Sequence, residues 1–216
     1  MQTVEVGFLN SGIELVIFDM DGVLCRYDFY RRLGMLSDIT GVSAGDIDKV
    51  IFHSGFDDRG DRGLYSAEGY LRQFNKLLGA SVSRQDWLRA RKKSTFPDAA
   101  MLDLAAQVGS QVPIAMLTNN GPLLQDGLAE VFSQAAVLFG ERAFFSSQFK
   151  STKEEPDIFH KILGQLGGKP PTTLFIDDSP AYIASAQTAT LLTHQFNGID
   201  GLRDVLFLYG ITIGPT

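Results

Sequence analysis

Residues 15–24, Leu-Val-Ile-Phe-Asp-Met-Asp-Gly-Val-Leu, constrain this chain more than any other stretch. Leu15, Val16, Ile17 and Phe18 run without a polar break, the pattern of a strand buried on both faces of a parallel sheet. The run stops at Asp19 and Asp21, with Gly22 behind them. Two carboxylates at the end of a buried strand are costly unless a cation is close. The carboxyl ends of strands are also where open α/β sheets place their ligands. A hard ion such as Mg2+ suits the pair, because it takes oxygen ligands from few carboxylates plus a substrate phosphate. Asp-x-Asp-Gly is equally an ordinary polar turn, so the choice depends on whether matching residues occur farther along the chain.

The next section changes character. Residues 27–95 are rich in charge and aromatics, and helical spacing dominates. Tyr30, Leu33, Leu36 and Ile39 fit one helix; Ile47, Val50, Ile51 and Phe52 fit another, capped by Ser43. Phe56 to Gly63 reads as a glycine-punctuated loop whose charged run, Asp57 to Arg62, is either a solvated loop or a substrate-specificity loop. Ser66 caps a helix carrying Tyr70, Phe74, Leu77 and Leu78 that ends at Gly79, and a short helix holds Trp87, Leu88 and Ala90. No strand-like run interrupts this section, so it is expected to be a helical insert.

From Phe96 onward, helices alternate with short apolar runs. Ala99 to Val108 is a helix capped by Asp98, and Pro113 to Leu117 is a strand ending in Thr118-Asn119-Asn120-Gly121. Pro122 to Phe132 is a helix, Ala143 to Phe145 a strand, and Pro156 to Leu166 a helix. Thr173 to Ile176 is a strand broken by Asp177-Asp178; a helix over Pro180 to Ala189 and a strand over Leu191 to Phe196 complete the series. The alternation predicts βαβ units: an α/β, Rossmann-like, doubly wound parallel sheet. Residues 1–26 and 96–216 would form this core, with 27–95 as the inserted α-helical cap. Right-handed crossovers then bring Asp19, Thr118, a lysine at 150 or 153, and the Asp177-Asp178 pair to one crevice.

Composition narrows the function. With 216 residues, 44% of them hydrophobic and 20% charged, the chain suits one sizeable folded unit or a domain with an insert. A net charge of -6 gives no footprint for nucleic acid or acidic membranes, and no apolar run approaches a membrane span. The first residues lack the basic start of a secretory leader. The single cysteine, Cys25, excludes an intrachain disulfide and suits the cytoplasm. Nothing in the sequence sets the oligomeric state.

These motifs resemble those of the haloacid dehalogenase superfamily, specifically its Mg2+-dependent phosphatases. Phe18-Asp-Met-Asp-Gly-Val23 looks like the first motif, Leu117-Thr-Asn119 the second, Lys153 ahead of Pro156-Asp-Ile-Phe159 the third, and Phe175-Ile-Asp-Asp-Ser179 the fourth. Four motifs in order make a strong signal where one would be weak. The insert after motif one is similar to the family's first-position cap. Its Arg62-Gly63, Ser66-Ala-Glu68 and Tyr70 resemble members acting on sugar phosphates, such as glucose-1-phosphate phosphatases.

The resemblance implies roles. Asp19 would be nucleophile and metal ligand, and Asp21 the acid/base that also offers the metal its backbone carbonyl. Gly22, Thr118, Asn119 and Lys153 would hold the phosphoryl group, and Asp177 and Asp178 would complete the Mg2+ ligands. The substrate would be a small phosphorylated molecule. Gly22 would be required because a side chain there crowds the phosphoryl group. Asp21 separates this chain from the dehalogenases, which typically lack an Asp there. Two departures stand out. Lys153-Glu-Glu-Pro156 replaces the family's frequent Lys-Pro-Asp-Pro, leaving Lys150 as a competitor, and Tyr182 occupies a position that is often Asn. A phosphomutase and a catalytically silent binding homologue remain as rivals.

Overall fold

The computed structural model describes residues 12–214; the N-terminal reading of residues 1–11 and the outer limits of the expected core lie outside it. In chain order the elements are β1 (Leu15–Phe18), β2 (Cys25–Tyr27), α1 (Phe29–Thr40), α2 (Ala44–Ile47), α3 (Phe56–Asp61), α4 (Ala67–Leu78), α5 (Arg84–Lys93), β3 (Thr95–Pro97), α6 (Ala99–Gly109), β4 (Ile114–Thr118), α7 (Pro122–Val131), α8 (Ser133–Phe139), β5 (Ala143–Phe145), α9 (Ser146–Phe149), α10 (Asp157–Leu166), β6 (Thr173–Asp177), α11 (Pro180–Thr188), β7 (Leu192–Gln195) and α12 (Ile199–Leu208). A wider π-helical turn, Asp48–Phe52, extends α2.

Five strands form one parallel sheet in the order β5-β4-β1-β6-β7. The chain fills one side of β1 with β4 and β5, then crosses to the other side for β6 and β7. The order therefore reverses around β1, and the crevice at that reversal opens beyond its carboxyl end. β1 is buried on both faces, as its unbroken apolar run requires. Val16, Phe18, Met116, Leu174 and Ile176 join the core cluster on one side, while Leu15, Ile17, Ala115, Leu117 and Phe175 pack with α10 and α11 on the other. This is the period-two alternation of a pleated strand.

Two features correct the sequence reading. β2 and β3 pair antiparallel, Arg26 opposite Phe96 and Tyr27 opposite Thr95, so a two-stranded ribbon brackets α1 to α5 where no strand was expected. Three residues per strand are too few to show alternation. The presumed loop at 56–63 contains α3. Its glycines obscure it: Gly55 and Gly63 have left-handed φ of 75° and 66° at its ends, while Gly60 leaves room for the Tyr70 ring, which a Cβ would meet at 2.8 Å. The N-caps read from sequence hold, since Ser43, Ser66 and Asp98 each accept hydrogen bonds from first-turn N–H groups.

The inserted helices rest on the sheet's own helices. Gly127 on α7 faces Leu88 on α5 so closely that a Cβ there would lie 2.4 Å from Leu88 Cδ2. No helix among the described residues is long and apolar enough to cross a membrane.

Candidate active site

The backbone fixes Asp19 before its side chain does anything. Its N–H donates to the Ile176 carbonyl at 2.9 Å, continuing the β1–β6 pairing one residue beyond β1. The Asp19 side chain is 6% exposed. Its Oδ1 accepts the Met20 N–H at 2.7 Å and lies 2.7 Å from Lys153 Nζ.

Lys153 comes from the loop before α10, and the end of β4 holds that loop. The Lys153 N–H donates to Asn119 Oδ1 at 2.9 Å, and Asn119 Nδ2 donates to Glu154 Oε2 at 3.2 Å. The Lys153 ammonium also reaches Asp177 Oδ2 at 2.7 Å and lies 4.5 Å from the centre of the Tyr182 ring. Burial works against its charge, but Asp19 and Asp177 outweigh that and raise the lysine above its ordinary value. Lys150 is exposed and takes no part. Tyr182 thus caps the lysine from the side where the family often has Asn.

Asp177 spends its other oxygen on the Ser179 N–H at 2.8 Å. Asp178 is exposed. Asp19, Asp177 and Asp178 each offer an oxygen, all within 4.8 Å of one another. Burial, reinforced by Asp177, raises both Asp19 and Asp178, with Lys153 pulling the other way. Three carboxylates, Asp19, Asp177 and Asp178, meet one cationic side chain, Lys153, so anionic groups outnumber cations in a partly buried crevice. An all-oxygen donor set with that residual charge fits a hard divalent cation. Asp178 is the freer of the two carboxylates to take a cation, because Asp177 is already engaged twice.

Asp21 sits above this floor, and the insert supplies its partner. Arg91 on α5 is 1% exposed and donates from Nη2 to both Asp21 oxygens, at 2.7 and 2.6 Å. The guanidinium is held in turn by Thr95 Oγ1 at 2.7 Å and by the Tyr27 ring at 4.0 Å. Asn120 donates to Thr118 Oγ1 at 2.7 Å and to Asp21 Oδ2 at 3.3 Å. Thr118, buried at the end of β4, therefore shares a network with Asp21.

Gly22 carries a φ of 91°, and a Cβ there would lie 2.3 Å from Asp178 Oδ2. The glycine is needed for the Asp178 carboxylate, a different reason from the crowding of a phosphoryl group expected from sequence.

A cavity of about 140 Å³ opens over Asp21, between ribbon, insert and the loop after β4. Arg32, Asp57 and Asp61 line it with Arg91, Asn119 and Asn120. Sequence reasoning missed Arg91, Arg32 and Asn120, and placed Asp57 and Asp61 in a charged run that it left open between a solvated loop and a substrate-specificity loop. Charged residues at helical spacing look like a solvated face, and nothing local shows that a helix places Arg91 against an Asp21 that lies 70 residues earlier.

Comparison with known proteins identifies the family. The family model for haloacid dehalogenase-like hydrolases matches residues 13–190. A D-ribitol-5-phosphate phosphatase of Bacteroides thetaiotaomicron is 23% identical over 203 residues, covering 89% of this chain and 97% of that protein. Among solved structures, a haloacid dehalogenase family enzyme from the same organism, in complex with magnesium and inorganic phosphate, superposes with a TM-score of 0.72 at 22% identity, covering 85% of this chain and 93% of that one. A predicted HAD-like hydrolase from Porphyromonas gingivalis reaches 0.76 at 23% identity, covering 90% and 98%. With the family model spanning four of the five sheet strands and the whole insert, this chain belongs to the haloacid dehalogenase-like hydrolases.

Proposed function

We propose that this protein is a Mg2+-dependent phosphomonoesterase acting on a small phosphorylated metabolite. One observation carries the reading: Asp19, with Lys153 beside it and Asp178 within ligand distance, lies beneath an Asp21 that faces a cavity. Phosphoryl transfer asks a protein chiefly for positioning and charge neutralisation, and these residues offer both. The named activity of the ribitol phosphate relative, and the magnesium and phosphate in the similar enzyme, support it.

Asp19 forms a bond to phosphorus as the bond to the leaving oxygen breaks, giving an aspartyl-phosphate. Lys153 offsets the repulsion between that carboxylate and the incoming dianion. Asp21 gives its proton to the leaving alkoxide, then takes one from the water that attacks phosphorus and frees Asp19 and phosphate. Arg91 fixes the direction of the Asp21 carboxylate toward the cavity. Thr118 offers its hydroxyl to a phosphoryl oxygen, with Asn119 and Asn120 setting the loop around it. Asp19, Asp178 and the Asp21 backbone carbonyl would hold Mg2+, which when bound supplies positive charge to the phosphoryl oxygens. Buried, unpaired Cys25 supports a reducing, cytoplasmic setting.

Phosphate release from a panel of metabolite esters, with Mg2+ and with EDTA, tests the reading. Turnover should require Mg2+ and disappear in Asp19→Asn. A panel on which the native protein never exceeds that variant would refute it, and isomerised ester without free phosphate would mark a mutase.

A further inference from the structure

The proposed chemistry uses the floor of the cavity and leaves its far wall unexplained. That wall is polar, largely enclosed and poorly satisfied. Arg32 on α1 is 5% exposed. Its Nη1 donates to the Tyr27 hydroxyl at 3.0 Å, but Nε and Nη2 are buried without a partner. Trp87 on α5, 4% exposed, has a buried Nε1–H that is also unpartnered. Across from these donors stand two acceptors on α3. Asp57 accepts the Tyr70 hydroxyl on Oδ1, and the Asp61 carboxylate accepts no hydrogen bond from a side chain among the described residues. Arg32, Asp57 and Asp61 line both the cavity over Asp21 and a smaller recess behind it, where Trp87 joins them.

An unsatisfied buried donor costs about 1–3 kcal/mol, so three of them on one wall, Arg32 Nε, Arg32 Nη2 and Trp87 Nε1, facing two half-buried carboxylates, need a reason. The mixture decides which ligand supplies it. An ammonium group would satisfy Asp57 and Asp61 but leave the Arg32 fork and the Trp87 N–H empty. A carboxylate or second phosphate would satisfy Arg32 and sit against two carboxylates. Hydroxyls donate and accept at one atom, so a chain of them meets both sets. Phe29 and Phe52 on the same cavity wall suit the carbon face of such a chain.

Resting on the phosphatase reading, we infer that Arg32, Asp57, Asp61 and Trp87 form the subsite that recognises the leaving group, and that this group is a short, uncharged polyhydroxylated chain. Asp61 and Trp87 are specificity-determining residues here, distant from the transferred phosphoryl group.

Two measurements test the subsite. The first compares kcat/KM for alditol and sugar phosphates with phosphoethanolamine, a hexose bisphosphate and 4-nitrophenyl phosphate. Alditol or sugar phosphates should lead the amine and the bisphosphate by about tenfold or more, the value of one or two charge-assisted hydrogen bonds. The ratio of polyol ester to aryl ester should fall about tenfold in Asp61→Asn, which keeps the side chain's shape, and fall in Trp87→Phe, which removes the N–H donor. An amine or bisphosphate preferred over every polyol ester, or a ratio unmoved by both variants, overturns the inference. The second measures binding of the intact esters to Asp19→Asn by calorimetry, so that the subsite is read without turnover. Tighter binding of alditol phosphate than of phosphoethanolamine supports the subsite, and equal affinity overturns it. Absence of phosphate release from every ester, the aryl phosphate included, counts instead against the phosphatase reading.

Discussion

The Lys153 ammonium lies 2.7 Å from the Asp19 carboxylate with both side chains almost entirely buried. The same ammonium is 2.7 Å from Asp177, so one cation compensates two buried anions. Removing one partner of a buried pair typically costs about 3–5 kcal/mol, because the other charge is stranded. Lys153→Met is therefore expected to destabilise the fold by about that amount in urea titration and to abolish phosphate release. Lys153→Arg should not restore activity, since a planar fork cannot replace a compact ammonium between two carboxylates. Adding Asp19→Asn to Lys153→Met should return part of the stability and none of the activity. Additive losses in the double variant would contradict the shared-cation arrangement.

Gly22 and Asp178 are related by space alone. With φ at 91° and a Cβ position 2.3 Å from Asp178 Oδ2, Gly22→Ala must push the carboxylate aside or rotate the backbone. If Asp178 holds Mg2+ as proposed, moving it weakens the metal site more than the fold. We expect the Mg2+ concentration for half-maximal activity to rise about 10- to 100-fold, as when the support of a ligand is lost, with a stability cost of about 1–3 kcal/mol for the strained backbone. A Mg2+ titration followed by phosphate release checks this. An unchanged midpoint would remove Asp178 from the ligand set.

The residues that sequence alone made legible share a physical property. Asp19, Thr118 and Asp177 each end an apolar run, so the strand period and the reversal of polarity locate them. Lys153 was found through motif spacing. Arg91, Arg32 and Asp61 lacked any such marker. Arg91 lies in the basic stretch Arg-Ala-Arg-Lys-Lys of α5, and only the β2–β3 ribbon and the contact of α5 with α7 turn it inward. Tyr182 was visible as a departure from the family pattern, yet its contact with Lys153 depends on how α11 meets the loop before α10. Chain-local patterns reveal the floor of the site, whereas its walls come from packing between elements far apart in sequence.

Gly63 ties the insert to α9, the short helix that follows β5. Its φ is 66°, and a Cβ there would lie 2.1 Å from the Ser147 carbonyl oxygen. Close by, Ser146 Oγ donates to the Asp61 carbonyl at 2.8 Å and Arg62 pairs with Glu155. Gly63→Ala should lift this corner, costing about 1–3 kcal/mol and displacing the α3 wall with it. KM for the preferred ester should rise in step with faster proteolysis between residues 55 and 65. Unaltered KM and protease resistance would show that the corner yields without disturbing the cavity.

Asp61 links the cavity to pH. Burial, then Asp57, raises its carboxyl well above the ordinary value, with Arg32 opposing; Asp58 and Glu154 add to the rise, and Tyr70 also faces it. A carboxyl raised on folding favours the protonated form. It costs nothing below the unfolded value of about 3.9, and the cost grows as pH climbs through the interval to the folded value. Asp61→Asn, which cannot ionise, is therefore expected to melt at higher temperature than the native protein at pH 8, with the gain shrinking toward pH 4. A pH-independent difference in Tm would contradict this. The same variant should lose selectivity for polyol esters, so stability and recognition would move in opposite directions at one side chain. Such opposition is expected where a site keeps an unfavourable group for its ligand.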